Sequence, residues 1–198
     1  MKQSKYKIGN NEHIICKNLY SNYNKIDLIN EDFCLICLEC LSKFKNILVT
    51  RNLDNSYCAI SGTLLGIERH NGFIPTDDDI DLIIFRNLYE DIDNNIDIYN
   101  EKMYPFKLVK SIIGYKIINN IYGILIDLFV YELFENHFIP SGPIIDNKSY
   151  FLLKNALPFC KFHKSIILPI NKNGGKFENL YINLPNSSKK CIEINYGL

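Results

Sequence analysis

The sequence has no tryptophan, only two methionines and no excess of charge of either sign. Its 22 basic residues balance 22 acidic residues, which argues against a general nucleic-acid binder, because such proteins usually carry a basic surplus. No run of about 20 apolar residues occurs, so no membrane span is expected. The nearest candidate, 121–134, is too short and contains Asp127 and Glu132.

A disulfide framework is also not expected. The seven cysteines are odd in number, and residues 1–18 lack the apolar segment of a secretory signal. We therefore expect reduced thiols and a cytoplasmic protein. Cys34, Cys37 and Cys40 have a spacing that also occurs in metal-cluster proteins, but they lie in an amphipathic helical pattern without a fourth ligand nearby. Packing in or near the core is the favoured interpretation of these three thiols.

The composition that remains, 47% hydrophobic and 22% charged, is typical of a folded globular protein. We expect a polar, Asn-rich leader over residues 1–30 and a single domain over 31–198. The hydrophobic spacing predicts helices and strands in alternation, which indicates an α+β (mixed α/β) domain. The first predicted helix starts at Asn30, and two more cover 63–70, with Thr63 near the start, and 87–99. The predicted strands are 57–61, 80–85, 106–118 and 121–133, and a loop or hairpin follows at 136–147.

Four aspartates within five positions are the most informative feature of the chain. Asp77, Asp78, Asp79 and Asp81 lead directly into the apolar strand 80–85. Because side chains alternate along a strand, Asp79 and Asp81 are expected on the same side. Two such carboxylates can hold Mg²⁺, which keeps some water ligands and takes others from substrate phosphates. The alternative is a solvated turn before the strand.

The residues upstream of these acids suit a phosphate. Gly62 allows the backbone to approach a ligand closely, and a helix that begins near Thr63 offers free N–H groups and a positive dipole end. Arg69 can donate two hydrogen bonds to a phosphate. Asp127 lies in the apolar run 124–130, where a lone charge is costly unless it is paired or metal-bound. It is a metal ligand, a general base or a partner in a structural salt bridge.

A second acidic stretch, 91–95, starts like a calcium-binding loop. The glycine expected at the sixth loop position is Ile96, and the glutamate expected at the twelfth is Lys102. A solvated helix face is therefore the favoured interpretation of this stretch.

Residues 61–82, SGTLLGIERHNGFIPTDDDIDL, resemble the signature of the LicD/fukutin family, G-T-L-L-G-x-x-R-x-x-G-F-I-P-W-D-D-D-x-D. Thr76 stands where that family usually has tryptophan, which is a departure beside the acids. The segment 126–129 resembles the second acidic strand of the family. The family's C-terminal pattern is matched by Phe177-Glu178-Asn179, Leu184-Pro185 and Tyr196-Gly197.

This resemblance implies a nucleotidyltransferase-like domain with a central mixed β-sheet flanked by helices. It also implies metal-dependent transfer of phosphocholine or a phospho-alditol from a CDP-linked donor to a glycan hydroxyl. By the same resemblance, Asp79 and Asp81 would hold Mg²⁺ or Mn²⁺, and Asp127 would complete the catalytic acid set. The segment Ser61-Gly62-Thr63 would cradle phosphate, with Arg69 and Asp77 as further substrate-binding candidates.

Without the resemblance, the residues indicate only metal-assisted phosphoryl chemistry. Two alternatives stay open beside the LicD-like transferase. One is a nucleotidyltransferase that attaches a nucleoside monophosphate to a protein or small molecule and releases pyrophosphate. The other is a catalytically idle binding protein of the same fold, against which the complete acid set argues.

Overall fold

In the computed structural model, residues 3–8, 11–16, 30–141 and 161–197 are described. Within these ranges the chain forms six helices and eleven strands. The helices are α1 (Glu31–Thr50), α2 (Ser61–His70), α3 (Arg86–Asn94), α4 (Ile96–Met103), α5 (Lys164–Ile167) and α6 (Ser188–Tyr196). None of these described helices has both the length and the apolar character needed to cross a membrane.

The strands form one large mixed sheet and two separate hairpins. The large sheet has the order β3-β4-β7-β6-β5, with β8 paired to β7 and β9 paired to β8. Strands β4 and β7 run parallel, whereas the other neighbours in this sheet are antiparallel. The predicted α+β class is therefore confirmed. The strands are β1 (Gln3–Ile8), β2 (Asn11–Cys16), β3 (Tyr57–Ala59), β4 (Ile80–Phe85), β5 (Lys107–Ser111), β6 (Gly114–Asn119), β7 (Gly123–Phe134), β8 (His137–Pro140), β9 (Phe162–His163), β10 (Asn171–Phe177) and β11 (Leu180–Leu184).

Helix α1 supplies much of the core. Asn30 caps it, because its side-chain oxygen accepts a hydrogen bond of 2.8 Å from the Asp32 N–H. Cys34, Cys37 and Cys40 lie on its buried face, each at most 1% exposed. Their predicted packing in the core is therefore confirmed, and burial raises the pKa of the Cys37 and Cys40 thiols well above the usual range.

The bounds of several elements differ from the prediction. Helix α2 begins at Ser61, two residues earlier than predicted, because the chain turns there through a left-handed conformation (φ +46°) that ends β3 at Ala59. The predicted helix over 87–99 is two helices that meet at Asn95.

The segment 106–118 is a hairpin rather than one β segment, because Ser111 pairs with Gly114 across a two-residue turn. The predicted loop or hairpin at 136–147 contains β8, and its residues 142–147 lie outside the described residues. Within the N-terminal leader, β1 and β2 form an antiparallel hairpin.

Candidate active site

The acidic side chains belong to a row that crosses three neighbouring strands. Asp81 on β4 is the direct partner of Asp127 on the parallel strand β7. Lys116 on β6 is the direct partner of Asp127 on its other side. Because residues in register project to the same face of a sheet, the row holds two acids and one lysine.

Three carboxylates of this region lie close enough to share one cation. Asp79, Asp81 and Asp127 each offer an oxygen atom, and these atoms lie within 4.8 Å of one another. Asp77, Asp78 and Asp79 form a second group of the same kind. Carboxylate oxygens are the donors that hard divalent cations prefer, so the first group fits Mg²⁺ or Mn²⁺ in number and in chemistry.

The acids resist ionisation in this arrangement. Burial and the Asp127 charge raise the pKa of Asp79 to about 7. Burial and the Asp79 charge also raise the pKa of Asp81 well above its usual range. The pKa of Asp77 is raised by burial and by its neighbour Asp78. Ionised acids therefore repel one another in this half-buried place, and a bound cation would relieve that repulsion.

The start of helix α2 holds Asp81 in place. The Gly62 N–H donates to Asp81 Oδ2 at 3.1 Å, and the Asp81 N–H donates to the Thr63 hydroxyl at 2.7 Å. A Cβ at Gly62 would lie 2.2 Å from Asp77 Oδ2, so a larger residue there would displace the Asp77 carboxylate. The Gly62 N–H is thus engaged by a carboxylate here. The phosphate-binding role of Ser61, Gly62 and Thr63 stays a prediction.

Asp127 is paired as well as grouped with the other acids. The Lys116 Nζ lies 2.7 Å from its Oδ1 and 2.8 Å from its Oδ2. The side chain of Lys116 is 30% exposed and that of Asp127 is 12% exposed. Sequence reasoning missed Lys116, which is one of three lysines in the predicted strand 106–118, and no local pattern distinguishes it from Lys107 and Lys110.

Comparison with known proteins bears on this arrangement. The family model described as LicD/FKTN/FKRP, nucleotidyltransferase domain, matches residues 55–187. The chain belongs to the LicD family. The matched range contains helix α2, the acids and Lys116, and the resemblance expected from residues 61–82 is confirmed.

A curated relative agrees with the family assignment. The chain is 43% identical over 56 residues to the lipopolysaccharide cholinephosphotransferase LicD of Haemophilus influenzae. The aligned segment covers 28% of this chain and 20% of the relative. The chain thus matches about a fifth of the length of that protein.

In this LicD domain, a residue from the C-terminal hairpin fixes the turn that follows α2. Glu178, between β10 and β11, is 3% exposed, and its N–H donates to the Asn71 carbonyl at 2.7 Å. Its Oε1 accepts the Phe73 N–H at 3.2 Å. A Cβ at Gly72 would lie 2.0 Å from this same oxygen. Glu178 therefore holds the backbone that leads from α2 to the acids.

Further residues of the LicD signature that the structure describes include Arg69, Thr76 and Tyr196. Arg69 and Thr76 are exposed, Arg69 in the last turn of α2 and Thr76 directly before the acids. The acids also act electrostatically on Tyr196 of α6. Burial raises the pKa of this tyrosine most, and the charges of Asp81 and Asp77 raise it further. The structure thus places the end of α6 beside the acid set.

Proposed function

We propose that this LicD domain is a metal-dependent transferase that moves phosphocholine or a phospho-alditol from a CDP-linked donor to a glycan hydroxyl. The observation that carries the proposal is the group of carboxylate oxygens from Asp79, Asp81 and Asp127, within 4.8 Å of one another beside the start of α2. Membership of the LicD family supports a transferase. The cholinephosphotransferase activity named for the Haemophilus influenzae relative supports a phosphocholine-type group.

The acids fit the role of holding Mg²⁺ or Mn²⁺. Asp81 is oriented by the Gly62 N–H and the Thr63 hydroxyl, so its carboxylate is positioned before any ligand arrives. When bound, the ion would neutralise the donor pyrophosphate and stabilise charge on the leaving phosphate. The donor phosphates carry the same sign of charge as the acids, and the ion would offset the repulsion between them. The residues of the chain would then position the donor.

The proposed reaction is a displacement at phosphorus. The acceptor hydroxyl oxygen bonds to the phosphorus that carries the choline or alditol, and the bond from that phosphorus to the bridging oxygen breaks. CMP leaves with that oxygen, and the hydroxyl proton is released. Ser61, Gly62 and Thr63 are the proposed donor-facing backbone, with Arg69 and Asp77 as further candidates to contact the substrate.

The test is product analysis with purified protein. CDP-choline, CDP-ribitol and CDP-glycerol are each incubated with a glycan acceptor in Mg²⁺, Mn²⁺ or EDTA, and CMP is measured by chromatography. We expect release of CMP that requires the divalent ion. Asp93→Asn, which alters an acid outside the set, is the matched control and should keep the wild-type rate.

A second candidate function is supported by the nucleotidyltransferase description of the matched domain. In that reaction a nucleoside monophosphate is attached to the acceptor and pyrophosphate leaves. Metal-dependent pyrophosphate release from nucleoside triphosphates, without CMP from any CDP-linked donor, would replace the first proposal with the second. Nucleotide binding without either product would favour the idle binding protein.

A further inference from the structure

Lys116 is a cation built into the acid set. Its ammonium contacts both oxygens of Asp127, at 2.7 and 2.8 Å, and its charge acts against the raised pKa of Asp79. Strand register places it there, because Lys116, Asp127 and Asp81 are direct partners across β6, β7 and β4. The lysine therefore compensates part of the negative charge that the acids concentrate.

The same contact competes with a divalent ion. An ion held by Asp127 would need an oxygen that Lys116 now contacts, and an ammonium group beside a divalent cation is repelled. The Lys116 side chain has a flexible four-carbon stem and is 30% exposed, so its ammonium group has room to turn away. The nearest anion in a loaded site would be the phosphate of the donor.

We propose that Lys116 is the resident counter-cation of the metal-free acid set and that it exchanges Asp127 for a donor phosphate when metal and donor bind. The inference rests on the proposed function, because it needs a divalent ion and a phosphate at these acids. Lys116 is then a phosphate-binding residue, whereas a purely structural lysine would keep Asp127 in both states.

The chain offers a matched control pair whose lysine lies on the same sheet. Lys110 on β5 contacts Asp93 at 2.6 Å, with side chains that are 50% and 40% exposed. Asp93 also accepts a hydrogen bond from the Tyr115 hydroxyl, and it is not part of either acid group. Lys110→Met therefore removes a lysine–aspartate pair without touching the candidate site.

The first measurement is thermal unfolding, followed by circular dichroism, in EDTA and in excess Mn²⁺. Lys116→Met should lower Tm in EDTA by about 4–8 °C, because the acids lose their counter-charge. Mn²⁺ should restore most of that loss, so the variant gains more from the ion than the wild type does. Lys110→Met should shift Tm by less than about 2 °C, equally in both conditions.

The second measurement is calorimetric binding of CDP, a nonreacting analogue of the donor that lacks the choline or alditol, in saturating Mn²⁺. Lys116→Met should raise the Kd for CDP by about tenfold or more, as expected for the loss of a charged hydrogen bond to phosphate. Lys110→Met should leave the Kd unchanged. If the methionine variant does not fold, Lys116→Gln replaces it, since the amide can still donate to Asp127 without carrying a charge.

The outcomes separate this inference from the proposed function. An equal loss of Tm in EDTA and in Mn²⁺, or an unchanged Kd for CDP, shows that Lys116 is structural and overturns the inference alone. A wild-type protein with neither a Mn²⁺-induced shift nor binding of CDP overturns the proposed function, and the inference with it.

Discussion

The tripeptide Asp-Ile-Asp occurs at 79–81 and again at 91–93, with opposite electrostatic consequences. The first copy leads into β4, and the second lies on helix α3. In the second copy, Asp91 accepts from Arg51 Nε at 2.5 Å and from the Tyr99 hydroxyl at 2.8 Å. Hydrogen bonds from Arg51 and Lys110 lower the pKa values of Asp91 and Asp93 respectively.

In the first copy, burial and neighbouring acids raise the pKa values of Asp79 and Asp81. Identical residues thus differ because α3 faces basic partners, whereas the start of β4 and the loop before it face other acids. Asp91 and Asp93 are neutralised by the protein itself. Asp79 and Asp81 are only partly compensated, and this is the property expected of groups that complete their environment with a ligand.

The largest difference between the two copies should be in activity. Asp79→Asn and Asp81→Asn should each lower CMP release by about a thousandfold or more, since each removes a charged donor from the proposed metal site. The same variants should stabilise the metal-free protein, because each removes charge repulsion. Product assays and thermal unfolding in EDTA check both effects, and a full rate from Asp79→Asn would refute the metal role.

The second copy should respond in the opposite way. Asp91→Asn should cost about 2 kcal/mol of stability, or about 4–8 °C in Tm, because it leaves Arg51 without its carboxylate partner. Catalytic rate below the unfolding transition should be unchanged. Urea unfolding and product assays on the same preparation measure the two quantities, and a lost rate with unchanged stability would contradict the comparison.

The free energy of unfolding, measured in EDTA over a series of pH values, should show a further difference between the two copies. In the folded protein the pKa of Asp79 is about 7. In the unfolded chain the pKa of an aspartate is about 3.9. Between these values the folded state binds more protons, so the free energy of unfolding should fall as pH rises from about 4 to about 7. Asp79→Asn should flatten this slope, and Asp93→Asn should leave it unaltered.

The smallest effect is expected at Asp93 itself. Its pair with Lys110 is exposed, so Asp93→Asn should change the free energy of unfolding by less than about 1 kcal/mol. Chemical denaturation can measure this change. A larger loss would show that the exposed half of the second copy is a structural anchor like Asp91.

Local sequence was sufficient for the parts of the fold with strong periodicity. The bounds of β4 were predicted correctly, and α1 begins at Glu31, one residue after its predicted start at Asn30. The alternation of side chains also anticipated the common side of Asp79 and Asp81. These features depend on neighbours within a few positions, so the sequence pattern contains them.

Most features that depend on distant contacts were not predicted, apart from the grouping of Asp127 with Asp79 and Asp81. Lys116 meets Asp127 only because β6 and β7 adopt one particular register, which includes a shift between Ile117 and Ile118. Thr63 was expected near the start of a helix, but its hydroxyl accepts from the Asp81 backbone across 18 positions. Glu178 was noted only for its resemblance to a family pattern, because nothing local indicates which backbone its carboxylate binds.

The hydrogen bond from the Phe73 N–H to the Glu178 carboxylate also determines when the candidate site can form during synthesis on the ribosome. The two residues are 105 positions apart, and at about 5–20 residues per second this separation corresponds to about 5–20 s of synthesis. During that interval the turn before the acids exists without the carboxylate that fixes it. The geometry of the candidate site is therefore completed late in translation, after the core helix α1 and strand β4 have emerged.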